Sequence, residues 1–149
     1  MGITAVNEKV AAAFDDNSRE KVFFHGHSYT ANPIACAAAC ASFDILTSEE
    51  TQEALSAIQN LHKGFAHGLE GHAKLSDIRQ TGTILAMELN VSDGGYTSNI
   101  REKIYLHFLD KNMLMRPLGN IMYLLPPYII KEKDLKRAYS EIEAFLEVV

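Results

Sequence analysis

The chain has 149 residues, 47% of them hydrophobic and 22% charged, with a formal net charge of −5. That is one domain's worth of sequence with an ordinary globular composition, so global disorder is excluded. The acidic balance argues against a nucleic-acid partner, no apolar run reaches the roughly 20 residues of a membrane helix, and two cysteines cannot staple a scaffold. The opening Met1–Ala5 has neither the basic start nor the apolar stretch of a signal peptide. A reducing cytoplasm is the expected compartment.

Ile3–Val6 is short and β-compatible, and Asn7 suits the cap of a helix running through Glu8, Val10 and Phe14. Asp15–Ser18 has turn chemistry. Val22–Phe24 reads as a strand that delivers the polar loop His25–Ala31. Asn32 and Pro33 then form a strong helix start. The helix that follows, Ile34-Ala35-Cys36-Ala37-Ala38-Ala39-Cys40-Ala41, has almost no side-chain bulk. Such a helix can lie very close to its neighbours, so deep burial is expected.

Thr47 with Glu50 forms a capping-box pattern for the next helix. Ala54, Leu55, Ile58, Leu61, Phe65 and Leu69 recur at helical spacing within it. Ile78–Leu89 reads as β structure interrupted at Thr81-Gly82-Thr83. Asn99 with Glu102 suits another helix start, with Ile100, Ile104 and Phe108 on one face. Two short apolar runs, Met113–Met115 and Ile121–Leu125, flank Pro117–Asn120 and predict a hairpin. A last helix places Leu135, Ala138, Tyr139, Ile142, Phe145 and Leu146 inward. The order helix, strand, helix, strand, strand, helix predicts a small α+β sandwich over 47–149.

Three constellations carry chemistry. In His25–Pro33, hydroxyl residues and a helix N-terminus lie together, as a phosphate or carboxylate site requires. The same residues also read as ordinary helix capping. Arg116, leaving an apolar run just before a turn, suits a carboxylate held by two parallel hydrogen bonds, and equally an exposed ion pair. Tyr123 and Tyr128 sit on a strand that lines a pocket or packs with its hydroxyls wet. No metal site is expected. His62, His67 and His72 are spaced five apart and share no helix face, and Cys36 and Cys40 read as small core residues.

Phe23 through Ala39 closely resembles the loop and helix of class III, pyridoxal-phosphate-dependent aminotransferases, and Arg116–Tyr128 resembles a more specific turn and strand of their biotin-pathway branch. The resemblance implies an α/β fold (fold type I of pyridoxal-phosphate-dependent transferases) in the parent enzyme. Residues 1–46 would be the end of its large domain with the connecting helix, and 47–149 its small C-terminal α+β domain. It implies ping-pong amino transfer, from S-adenosylmethionine or in some members lysine, to 8-amino-7-oxononanoate. Small-molecule substrates and a homodimer are the implied partners.

By position, the resemblance assigns Ser28 to the cofactor phosphate of the neighbouring subunit. Gly26 and His27 match residues lining the substrate entrance, Arg116 the arginine for the keto substrate's carboxylate, and Tyr123 a tyrosine beside it. No catalytic residue is assigned, because the family's Schiff-base lysine precedes the matching segment and neither Lys9 nor Lys21 sits in its context. The expectation is a fragment that is inactive alone and self-associates through its alanine-rich helix. Two alternatives accompany it: a non-catalytic interaction or assembly domain, and another class III ω-aminotransferase.

Overall fold

The computed structural model describes residues 2–149. Its internal contacts divide the chain into two units, between Ser48 and Glu49.

The first unit is short on partners for its apolar groups. It holds α1 (Glu8–Ala11) and α2 (Pro33–Thr47). The Asn7 side chain accepts from the Val10 N–H at 3.0 Å and starts α1 as expected. Ile3–Val6 and Val22–Phe24 form no strand. Their apolar and aromatic composition suits one, but a strand needs a neighbour to accept its backbone hydrogen bonds, and none is offered here. α2 begins as predicted, with Asn32 Oδ1 accepting from the N–H groups of Ile34 and Ala35 at 3.1 Å and Pro33 in the first turn. The expected burial is not found, because no residue of α2 is buried. Its small side chains shape a surface for close approach without supplying the surface that approaches.

The capping box at Thr47 is also corrected. The Thr47 hydroxyl turns back to the Phe43 carbonyl at 2.9 Å and belongs to the last turn of α2. The following helix, α3 (Glu49–Gly68), starts two residues later.

The second unit contains α3, β1 (Leu75–Thr81), β2 (Ile84–Leu89), α4 (Ile100–Asp110), β3 (Ile121–Leu124) and α5 (Glu132–Val148). The strands form one antiparallel sheet in the order β1-β2-β3. Gly82, at φ 55°, makes the tight β1–β2 turn that Thr81-Gly82-Thr83 announces. Strand alternation then does the sorting. Leu85, Met87 and Leu89 of β2 are buried, with Met122 of β3 paired to Met87. Tyr123, paired with Ala86, points to the opposite face.

Met113–Met115 is not a strand. Only Leu118 bridges to Ile121, its N–H donating to the Ile121 carbonyl at 2.9 Å, so the expected hairpin shrinks to its turn. β3 pairs with β2 instead. The element order is helix, strand, strand, helix, strand, helix. β2 already had a free edge, and Met113–Met115 carries its chain from α4 toward the turn without joining the ladder.

The apolar faces of α4 and α5 close this core. Ile104, Phe108, Leu135, Ile142, Phe145 and Leu146 are all buried. Each such side chain contributes about 1.5–3 kcal/mol by leaving water. His62 of α3 is fully buried too. Its Nε2–H donates to the Thr83 carbonyl at 3.1 Å, so its Nδ1 accepts, and the Tyr139 hydroxyl donates to it at 2.7 Å. The ring is therefore neutral, and burial holds its pKa below the usual histidine value. Burial likewise pushes the Tyr139 phenol up. The pair ties α3, the β1–β2 turn and α5 together.

Candidate functional site

Arg116 and Tyr123 line one cavity of about 410 Å³ in the second unit. Arg101, Tyr96 and Tyr105 also line it, with Leu114, Pro117 and Leu118 supplying apolar wall. No aspartate or glutamate borders it, in a chain that has 19. Among the described residues the Arg116 side chain has no hydrogen bond or ion pair. A cationic, hydroxyl-bearing, partly apolar cavity fits a carboxylate on a hydrocarbon chain.

The local sequence builds this cavity by holding two loops together. Asn120 is buried and bonds in both directions: its Nδ2 donates to the Leu89 carbonyl at 2.8 Å, and its Oδ1 accepts from the Gly95 N–H at 2.8 Å. Gly119, at φ 62°, lies against the same loop. A Cβ there would collide with the Gly95 carbonyl oxygen and fall 2.8 Å from the Tyr96 Cα. Only glycine allows that approach, which sets Tyr96 beside Arg116.

Asp93 then begins α4 from six residues upstream. Its carboxylate accepts from the Asn99 N–H at 3.0 Å and from the Ser98 hydroxyl at 3.1 Å. The Asn99 backbone bond, foremost among these contacts, holds the Asp93 carboxyl below the usual range. Asn99 makes no side-chain cap of its own, contrary to the expected Asn99/Glu102 start. α4 in turn presents Arg101 and, four residues on, Tyr105.

Gly26, His27 and Ser28 are exposed in the loop of the first unit. The loop closes on itself: the His27 N–H donates to Thr30 Oγ1 at 3.0 Å, and His27 Nδ1 accepts from the Tyr29 N–H at 3.2 Å. The imidazole Nε2 makes no hydrogen bond among the described residues. A Cβ at Gly26 would meet no atom within 4 Å, so the space beside it is open. The expected anion site at the start of α2 is narrowed, because Asn32 already accepts from the first free N–H groups of that helix. The Ser28 hydroxyl has no hydrogen-bond partner among the described residues. It fits a single donor to a phosphate oxygen, as the resemblance implies.

No lysine among the described residues is buried. All nine lysines are exposed, and Lys21 pairs with Asp16 at 2.6 Å. None has the desolvated setting that activates a lysine amine.

The sequence alone singles out Arg116 and Tyr123, which the structure brings to one cavity. It misses Arg101, Tyr96 and Tyr105. Arg101 and Tyr105 carry a usable signal, since residues four apart share a helix face. Tyr96 carries none, because its place depends on the Gly119–Gly95 contact between segments distant in sequence. No helix of the described residues is long and apolar enough to cross a membrane.

Comparison with known proteins gives the family. An adenosylmethionine-8-amino-7-oxononanoate aminotransferase of Synechococcus elongatus is 36% identical over 152 residues, covering 100% of this chain and 35% of that protein. The enzyme of the same name from Helicobacter pylori is 34% identical over 140 residues, covering 91% of this chain and 31% of that protein. The crystal structure of the Methanocaldococcus jannaschii enzyme of that name superposes with a TM-score of 0.74 at 27% identity, covering 87% of this chain and 31% of that one. The chain thus spans about a third of the length of the relatives it matches. The family profile described as aminotransferase class-III matches residues 1–146, and the chain belongs to that family of pyridoxal-phosphate-dependent enzymes.

Proposed function

We propose that these 149 residues are the substrate-binding part of an aminotransferase of biotin biosynthesis, which moves an amino group from S-adenosylmethionine to 8-amino-7-oxononanoate. The observation that carries this reading is the unpartnered Arg116 in a cavity without acidic residues. The names of the similar enzymes support the substrate pair.

In this reading Arg116 takes the carboxylate of the keto acid through two parallel N–H···O bonds. Tyr123, projecting from β3 on the face away from the core, donates from its hydroxyl beside it. Leu114, Pro117 and Leu118 border the methylene chain. Gly26 leaves room at the substrate entrance, and the Nε2 of His27 meets polar groups there. Ser28 donates to the phosphate of pyridoxal phosphate bound in a partner subunit, so the working assembly is a homodimer. Pyridoxal phosphate, when bound, supplies the electron sink for amino transfer. No lysine here is buried, so none is assigned as the amine that activates it. By themselves the 149 residues therefore bind substrate without turning it over.

In the first unit, 1–46 in this reading is the end of the large domain with its connecting helix. Ala35, Ala38, Ala39, Ser42 and Leu46 line one shallow groove along α2. That exposed face supports self-association of the chain, which light scattering across a concentration series would detect. The cytoplasm is the proposed compartment.

The binding claim is tested by calorimetric titration of 8-amino-7-oxononanoate. Arg116→Ala is expected to weaken binding by about tenfold or more, as loss of a charge-assisted pair implies. Equal affinity in the variant would contradict the reading.

A further inference from the structure

Arg116 shares its cavity with a second guanidinium, and the fates of the arginines differ in a telling way. The second unit contains Arg79, Arg101, Arg116 and Arg137. Arg79 pairs with Asp77 and Glu88. Arg137 donates to the Lys111 carbonyl at 2.6 Å. The two that line the cavity are the two whose side chains make no hydrogen bond or ion pair among the described residues. Arg101 also borders a neighbouring pocket with Glu102, yet adjacent helix residues point apart and no bond joins them.

The placement of Arg101 runs against helix electrostatics. It stands in the first turn of α4, where the macrodipole favours anions and disfavours cations. Asp93 already occupies the anionic place there, committed to Asn99 and Ser98. A cation at this position gains nothing locally from the helix or from an internal partner. It does place a fork of donors at the cavity wall, on an element different from the turn that carries Arg116.

We propose that Arg101 is a second carboxylate anchor, which gives the Arg116 cavity two anion subsites in place of one. The ligands it fits carry carboxylates on an apolar chain, the chain lying against Leu114, Pro117 and Leu118. Two anchors suit a two-substrate exchange in which each substrate brings its own carboxylate to the same cavity at a different reach. This inference rests on the carboxylate role of Arg116.

The probes are heptanoate and heptanedioate, equal in chain length and different by one carboxylate, titrated into the whole 149-residue chain by calorimetry. Wild type is expected to bind heptanedioate about fivefold more tightly, the scale of one partly exposed ion pair. Arg101→Gln is expected to bring that ratio down to about one while leaving heptanoate within about twofold, and Arg101→Lys, which keeps the charge and loses the fork, to fall between. Arg101 is exposed, so these variants leave the core intact. A ratio unchanged in Arg101→Gln, or no preference in wild type, overturns the second anchor. If heptanoate still binds and Arg116→Gln abolishes it, the Arg116 reading survives that failure. Binding of neither acid overturns both.

Discussion

The two units have similarly apolar sequences and opposite fates. Phe43 in α2 is 64% exposed, whereas Phe145 in α5 is 0% exposed. Among the described residues, every buried hydrophobic one lies in the second unit, from Ile58 to Leu146. The difference is one of geometry. α3 and α5 carry apolar stripes on one face and polar residues on the other, and a three-stranded sheet supplies the complementary surface. α2 is apolar almost all round and small, which suits insertion between other layers, and the first unit contains no layer to receive it. Hydrophobicity therefore stabilises a segment only where a matching surface exists, in the same chain or on a partner.

The sharpest way to break this comparison is to remove one phenylalanine from each unit. Phe145→Ala is expected to destabilise the chain by about 3–5 kcal/mol, since the cavity it leaves is walled by Phe108 and other fixed side chains. Phe43→Ala is expected to stay within about 0.5 kcal/mol, as for an exposed site. Urea denaturation of both variants checks this, and comparable losses would mean that the first unit has a core after all.

A smaller effect is expected at Gly119. Replacement by alanine forces a Cβ against the Gly95 carbonyl and a left-handed φ on an L-residue, at a cost of about 2 kcal/mol or more. Because that contact sets Tyr96 beside Arg116, Gly119→Ala should also weaken carboxylate binding. Unchanged binding would show that the cavity is held by other contacts.

The smallest effect is a pH dependence confined to the second unit. The His62 pKa is lowered by burial in the folded state and returns to about 6.5 on unfolding. The unfolded chain therefore takes up the proton first. The contribution of His62 to stability is complete above that value and declines as pH falls from it toward the lowered folded pKa. Melting temperatures from pH 8 to 5 should show this decline, and it should vanish in a folded variant with His62 replaced by an uncharged residue. Persistence of the decline would assign it elsewhere.

Legibility in the sequence follows the same divide. α5 is readable because its inward residues recur with helical period, and nearly all of them are buried. The β1–β2 hairpin is readable because Gly82 marks its turn. Val22–Phe24 and Met113–Met115 mislead, because their composition suits a strand but no edge accepts them. His62 does not read as a core residue because its polarity hides it, although it lies four residues after Ile58 and three before Phe65 on the same stripe. The role of Asp93 is hidden because its capping contact spans six residues, longer than any local capping pattern. At the candidate site, Arg116 and Tyr123 are visible from local chemistry and the family resemblance. Their companions Tyr96, Arg101 and Tyr105 need the fold.

Amide hydrogen exchange on the intact chain, at concentrations too dilute for self-association, tests the division most directly. Slow exchange should be confined to residues 49–149, strongest in β2 and α5, while α2 exchanges quickly despite its regular helix. Protection of α2 equal to that of α5 under those conditions would contradict the account.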